Sequence, residues 1–578
     1  MNLRITFLVA LLSAAAFAHG SAGAYALGDT LTVIMRPILT VPTILAARET
    51  LEVTALAPPE TEGWEAALLR PPRAFPLDTV AAAYDTALGR WTLRAAVPAD
   101  TPEELYDLVL VASGGVADTA RHAVKVLASY PEEYTVVHVT DTHLPGHTFW
   151  PLPTWAGDDT EMDDFREVIR DINLLAPAFV IHSGDYVNEG EMEDYSGYRA
   201  FSRAQELLLE LEVPVYVVAG NHDVGGWPHA PPSQGTARRN WWRFCGWPWL
   251  DDPPDGVRTQ DYFFDFGPIR YIGLEAYINY DGWRGAIYGE DSFIPSQIDY
   301  LDQVIIMRPL GSKVVLFYHM DFSQQLGDPG GRGIDLALYG HIHRNSGSVN
   351  DAPPVLATDA VCDGRRSYRL IRVRGGDQIT PWETITAGGQ GENLGVRFNM
   401  PNDGRHARNV ATIVNRHGVD MPDCEVRFVA PASGAPYLIT GGSTARVFDA
   451  DTALVVVARV SARAEDSVRV EIEPGGAAPE PPPPSAAFRL LGNRPNPFNG
   501  TTRIRLEIPE PGGRVEIDLF DAAGRYLFPI ARGPFSDGVH EVPWDGTAPS
   551  GARVPSGVYL YRARFAGAER TGRIVLVH

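Results

Sequence analysis

Five places in this 578-residue chain put carboxylate, amide or imidazole side chains directly after an apolar, largely β-branched run. They are Asp141-Thr142-His143, Gly184-Asp185, Gly220-Asn221-His222-Asp223, His319 and Gly340-His341-Ile342-His343. The runs that precede them are residues 135–140, 178–183, 215–219, 314–318 and 335–339. Such runs read as buried strands, and in open α/β sheets ligands collect beyond the carboxyl ends of strands. Asp141, His143, Asp185, Asn221, His319, His341 and His343 offer oxygen and imidazole donors with no thiolate, a set that suits Zn, Mn, Fe or Ni. Seven donors exceed the needs of one tetrahedral ion. Two ions sharing one carboxylate would use them all, and a pair about 3.5–4 Å apart suits in-line displacement at phosphorus.

The elements that must carry these ends follow from the pattern around them. From Glu132 to Arg374 strands alternate with helical segments, as in an α/β layered domain. Residues 160–175 space their apolar side chains for a helix with a largely acidic first turn, Glu161 to Asp164, and a second helix is predicted over about 192–211. The later strands come without long helices between them, which predicts two sheets packed face to face and flanked by helices. Composition agrees with a globular protein, at 45% hydrophobic and 21% charged residues. The 56 Gly and 47 Pro favour additional loop-rich β modules. A net charge of −23 argues against nucleic acid as a partner, because phosphate backbones call for a basic footprint.

The five blocks, in this order, resemble the calcineurin-like metallophosphoesterase superfamily over about residues 135–374. The resemblance implies a four-layer α/β core of two packed sheets flanked by helices, holding two divalent or trivalent ions (Mn, Zn or Fe). Asp141, His143 and His343 would hold the first ion, Asn221, His319 and His341 the second, and Asp185 would bridge them. His222 would bind no metal. It would contact the phosphate and serve the leaving oxygen, while a hydroxide bridging the ions attacks in line. Asn188 stands where the protein phosphatases of the superfamily carry a second aspartate, and where purple acid phosphatases carry a tyrosine ligand. Glu189 stands where those protein phosphatases carry a phosphate-binding arginine. The stretch from Ser183 to Tyr195 looks most like the branch containing cyclic-nucleotide and glycerophosphodiester phosphodiesterases. A phosphodiesterase acting on a small-molecule ester is therefore expected, with a phosphomonoesterase or nucleotidase, or a non-catalytic surface scaffold, as alternatives.

Around this core the expected organisation is a signal peptide (1–26), an N-terminal β-sandwich (27–131), the catalytic domain (132–375), a second β-sandwich (376–474), a Pro-rich linker (475–487) and a C-terminal module (488–578). The leader is read from Arg4, the apolar run after it and small-x-small cleavage sites. No later stretch is apolar enough to cross a bilayer as a helix. In the last module Pro495-Asn496-Pro497-Phe498-Asn499, Trp544-Asp545-Gly546 and Ser556-Gly557-Val558-Tyr559 resemble a type IX secretion sorting domain and the related Ig-like domain of flagellar hook-capping proteins. That resemblance implies a secreted or surface-held protein, met by bacterial secretion or cell-surface machinery. Cys245, Cys362 and Cys424 show no metal spacing; one disulfide or three buried thiols fit equally. His138 and His182 are expected to be satisfied core histidines. His147 is a possible substrate contact. The Trp- and Arg-rich segment 225–256 is read as packing or as a lid, and the loop 324–333 as a flexible border of the cleft with Arg332 its cation.

Overall fold

The computed structural model describes residues 32–147, 160–188, 194–224, 241, 243–245, 259–276, 293–320, 323–388, 393–433, 436–450, 453–475, 488–509, 512–521, 525–565 and 568–577. The predicted leader, most of the Trp-rich segment and nearly all of the Pro-rich linker lie outside these residues. The chain divides into two compact units, Met1–Gly475 and Gly476–His578.

The centre of the first unit is two five-stranded sheets. The first contains β1 (Tyr134–Val139), β2 (Phe179–His182), β3 (Val215–Val217), β9 (Ser367–Arg374) and β10 (Gln378–Thr386), in the order β3-β2-β1-β9-β10. β1, β2 and β3 run parallel, whereas β9 is antiparallel to β1 and β10 to β9. The second contains β4 (Tyr262–Phe266), β5 (Ile269–Gly273), β6 (Lys313–Phe317), β7 (Leu336–Tyr339) and β8 (Val355–Ala357), in that order. Its pairs from β5 to β8 are parallel. Parallel strands buried on both faces read as continuous apolar runs. β2 and β7 are buried at every position.

The inner faces meet in one core that includes Val136, Phe179, Ile181 and Tyr216 from the first sheet and Tyr271, Val315, Phe317 and Leu338 from the second. α1 (Thr160–Leu175) and α2 (Asp194–Leu208) cover the outside of the first sheet. The i, i+3, i+4, i+7 spacing of Phe165, Val168, Ile169 and Ile172 turns one stripe of α1 inward, and each is at most 2% exposed. Burial of such side chains stabilises by roughly 1.5–3 kcal/mol each. α3 (Pro295–Ile306) covers the second sheet through Leu301, Val304 and Ile305. This is the arrangement of two packed sheets flanked by helices that the sequence predicts.

The first sheet runs past residue 375, because β10 pairs with β9 from Arg374–Gln378 to Ser367–Thr386. The strands that follow form a four-stranded and a three-stranded sheet whose core is continuous with the helix layer. Leu394, Ala411, Ile413, Phe428, Val456 and Val470 share one hydrophobic cluster with Phe165, Val168 and Phe201 of the helix layer. On the N-terminal side, the expected small sandwich is one continuous eight-stranded ladder. Its 13-residue strand Arg73–Asp85 makes the continuity: the first half pairs with Glu65–Arg70 and the second with Arg90–Ala96.

Glu104 ties this ladder to the later strands. It lies 2% exposed, with Oε2 3.3 Å from Arg427 and 3.4 Å from Arg446. Burial pushes its pKa up, but Arg427, Lys125 and Arg446 prevail and bring it down from 4.5 to about 2. The ionised form is thus favoured by folding. The stabilisation, of order 3 kcal/mol, is complete above pH 4.5 and is lost as pH falls toward 2. Glu104→Gln is expected to lower the melting temperature at pH 7 and to flatten its decline between pH 4.5 and 2, read by thermal melts across that range.

The second unit has its own core. A three-stranded sheet (Arg489–Arg494, Thr502–Ile508, Gly538–Trp544) and a four-stranded one (Tyr526–Phe535, Gly513–Asp521, Gly557–Phe565, Ala568–Leu576) enclose Ile504, Leu506, Ile517, Leu519, Tyr561 and Ile574. Among the described residues no helix is long and apolar enough to cross a membrane.

Candidate dinuclear metal centre

The residues singled out for chemistry lie on the loops that leave β1, β2, β3, β6 and β7. The backbone there is unusual. Asp141, His143, Asp185, His341 and His343 all adopt left-handed conformations, with φ of 53°, 46°, 49°, 68° and 47°. Non-glycine residues in this region cost about 1–3 kcal/mol each and persist only where surrounding bonds enforce them. The enforcing bonds link the loops to one another. Asp141 N–H donates to Gly184 O, and His143 N–H to Asp185 O, both at 3.0 Å. His341 N–H donates to the Asp141 carboxylate at 3.0 Å. Asp223, immediately after His222, accepts from the main-chain N–H groups of Tyr186, Val187 and Gly220 and so locks the second block to the third. Gly184, at φ 106°, is required: a Cβ there would lie 2.7 Å from Gly220 N and 2.8 Å from His319 Nδ1.

The side chains converge. His143 Nε2 lies 3.1 Å from His343 Nε2, and His343 Nε2 lies 3.3 Å from Asp141 Oδ1. His319 Nε2 lies 2.9 Å from Asp185 Oδ2, and His143 Nε2 lies 3.7 Å from that same oxygen. Potential ligand atoms within 4.8 Å of one another form the groups Asp141–His143–His343, Asp185–His319–His341 and His143–Asp185–His222. Asn221 sits beside them, 4% exposed, with its Oδ1 buried and lacking any hydrogen-bond partner among the described residues.

The outer hydrogen bonds fix which nitrogen faces inward. His319 Nδ1 donates to Ser183 O at 3.0 Å, and a carbonyl can only accept. His143 Nδ1 lies 3.0 Å from Asn188 Oδ1. Both rings therefore turn Nε2 toward Asp141 and Asp185. His222 Nδ1 donates to Asn188 O at 2.8 Å, and His222 N–H donates to Asp185 Oδ1 at 2.9 Å. Asn188 thus holds two imidazoles, one through its amide and one through its main chain. In the sequence it stood out only as a departure from other branches. What signalled it was its position three residues after Asp185, and its task becomes visible only when His143 is folded against it.

The electrostatics are those of a cage for cations. Burial pushes the Asp185 carboxyl up, but His319, His222 and His143 hold it well below its usual range. Burial lowers His319, yet Asp185 and Asp141 raise it to about 9. A proton on His319 here supplies the positive charge that the two carboxylates demand. Paired inward-facing imidazole nitrogens, two buried carboxylates and an orphaned amide oxygen fit two ions of the borderline class.

The remaining expectations have mixed outcomes, and the one for His138 and His182 holds. His138 bonds Thr358 Oγ1 at 2.7 Å and Ser183 Oγ at 2.8 Å, and His182 bonds Thr142 Oγ1 at 2.9 Å, so both serve the loops from beneath. Trp241 is fully buried against Phe201 and donates to Gln260, a packing role. Arg332 does not border the cleft as a loose cation: it ends a short helical turn, Pro329–Arg332, and is tied to Asp302 and to Leu326 O. Cys245, Cys362 and Cys424 are free and buried.

Residues 134–345 match the family model of the calcineurin-like phosphoesterases, and residues 492–568 that of the FlgD Ig-like domain. The central domain is thus recognised as a calcineurin-like phosphoesterase domain, and the C-terminal unit carries a FlgD Ig-like domain. DNA double-strand break repair protein Mre11 of Methanococcus maripaludis is 35% identical over 88 residues, 15% of this chain and 23% of that protein. Mre11 of Methanocaldococcus jannaschii is 35% identical over 91 residues, with the same coverage of 15% and 23%. The chain thus spans about a quarter of the length of the curated relatives it matches. Among solved structures, a dimetal phosphatase from Danio rerio aligns at 15% identity and TM-score 0.32, over 44% of this chain and 99% of that one. Purple acid phosphatase PPD1 from yellow lupin aligns at 11% identity and TM-score 0.34, over 64% and 70%.

Proposed function

We propose that the protein is a secreted or cell-surface phosphodiesterase working on a small-molecule phosphate ester with two metal ions. Asp141, His143 and His343 would hold one ion, Asn221, His319 and His341 the other, and Asp185 would lie between them. Bound there, the pair would supply Lewis-acid polarisation of a phosphoryl oxygen and an activated water. The chain's own residues do the rest. Asn188 fixes His222 with its proton on Nδ1, so that Nε2 is the atom able to exchange a proton with the leaving oxygen. The left-handed loops set the ligands before substrate arrives, so none of the binding energy of the ester goes into assembling them.

The observation that carries the preference for a diester is the pair Asn188-Glu189. A phosphomonoester brings two negative charges and a diester one. Where the protein phosphatases have an arginine to balance the extra charge, this chain has a carboxylate. Location at or beyond the cell surface rests on the leader-like first 26 residues and on the FlgD Ig-like unit, which would engage secretion or surface machinery. The chain from residue 27 onward, loaded with Mn²⁺, Zn²⁺ or Fe²⁺, is expected to hydrolyse a bis-aryl phosphate faster than the matching mono-aryl phosphate. Faster monoester turnover overturns the diester preference. Failure with both esters, at two bound ions per chain, overturns the enzyme itself.

A further inference from the structure

A fourth group of potential ligand atoms stands just outside the cage. Those of His147, Cys362, Asp363 and His343 lie within 4.8 Å of one another. His147 Nδ1 is 3.0 Å from Asp363 Oδ1, Cys362 Sγ is 3.6 Å from Asp363 Oδ2, and Cys362 Sγ is 3.6 Å from His343 Nδ1. Ligands of a tetrahedral ion with bonds of 2.0–2.3 Å are themselves about 3.3–3.8 Å apart. The spacing is therefore already near that of a coordination sphere.

The loop that presents Cys362 and Asp363 is built with care. Val361 N–H donates to Thr140 O, and Cys362 N–H to Asp141 O, so the loop continues from the same strand end as the cage. The acidic first turn of α1 grips its far side. Glu161 accepts from Asp363 N–H at 2.9 Å, and Asp164 accepts from Gly364 N–H at 2.7 Å and from Arg366 Nε at 2.6 Å. Asp363 is held in a left-handed conformation, φ 59°, as the five residues of the cage are. His147 is stacked on His143, ring centroids 4.3 Å apart. The thiol is fully buried while the Asp363 side chain keeps 39% of its exposure, so a cation can reach the group from solvent on the carboxylate side.

We propose that His147, Cys362 and Asp363 form a third cation site, separate from the dinuclear cage, that takes a thiophilic divalent ion of the zinc class. Sulfur sets it apart: none of the seven cage donors is a thiol. On binding, the Cys362 S–H bond breaks, its proton leaves to solvent, and the thiolate sulfur and the Asp363 carboxylate ligate the ion. His147 turns its Nδ1 lone pair to the ion and carries its proton on Nε2. His343 keeps Nε2 inward and gives its Nδ1–H to the Cys362 sulfur, which couples the outer ion to the cage through one imidazole.

The test is a Co²⁺ titration of the metal-stripped full chain, followed by absorption. Cobalt in the cage gives visible ligand-field bands only, whereas thiolate ligation adds a near-ultraviolet charge-transfer band. Two equivalents are expected to fill the cage and a third to bring the charge-transfer band. Cys362→Ser should lose that band and the third equivalent while keeping the visible bands. His147→Gln should weaken the third equivalent at least tenfold, and Asp185→Asn should retain the charge-transfer band. Visible bands with no charge-transfer band in the wild type refute the third site and leave the cage standing. A charge-transfer band that survives Cys362→Ser, or vanishes with Asp185→Asn, refutes it too. A charge-transfer band that saturates at one equivalent, with no further visible absorption from two more, would leave the third site and remove the proposed dinuclear centre.

Discussion

Asp185→Asn is expected to lower the ions held in the cage from two to at most one and to cut phosphoester turnover about a thousandfold or more, a barrier increase of about 4 kcal/mol. Asp185 is the carboxylate that both halves of the cage share: its Oδ2 lies 2.9 Å from His319 Nε2 and 3.7 Å from His143 Nε2. An amide has the same shape but neither the charge nor a second anionic oxygen, so it cannot serve two cations. It can still accept the His222 N–H through its one oxygen, as Asp185 Oδ1 does at 2.9 Å. The polypeptide around it should therefore stay folded, which near-ultraviolet circular dichroism checks. Metal analysis after gel filtration provides the main readout. Retention of two ions with turnover intact would mean that Asp185 bridges nothing.

His222→Ala should do the reverse. The variant is expected to keep both ions and lose about 10²–10⁴ in turnover, the usual range for a general acid. The loss should depend on the leaving group. An ester that expels a stable aryl oxide needs little help from a proton and should lose least, whereas one that expels an alkoxide should lose most. His222 Nδ1 donates to Asn188 O and its main-chain N–H to Asp185 Oδ1, so that slope would report on Nε2. An equal loss for all leaving groups would instead make His222 a binding residue for the phosphate.

That these side chains would come together was legible in the sequence. A metal ligand is constrained twice, in side-chain type and in the sharp turn that aims it, and both marks are local. Asp141 and His143, or His341 and His343, stand out because a strand cannot end in Asp-Thr-His or Gly-His-Ile-His by packing preference alone. The α1 boundaries were legible for the related reason that amphipathic spacing is local: the predicted and observed helix both cover residues 160–175. Asp363 carries no such mark. It lies far along the chain from His147 and Glu161, and only the fold brings the three together. The same holds for β10, whose alternation reads equally well as the first strand of a new module or the last of the old sheet. The shape of the N-terminal ladder was hidden too, because Arg73–Asp85 opens on a Pro-containing stretch that reads as a connector, whereas in the fold it pairs with two neighbours in succession. Arg332 looked loose because its partner Asp302 lies 30 residues away on α3.

The cluster that joins Phe165 and Phe201 to Phe428 and Val470 has a further meaning for how such a chain is inherited. Genes exchange cassettes without harm where a cut leaves every hydrophobic side chain with its own companions. Among the described residues, a cut between the first sheet and the strands after it would divide that cluster, so the two are expected to be kept together. The stretch after 475 is where the grammar permits a break, because the unit beyond it encloses its own Ile504, Ile517 and Tyr561.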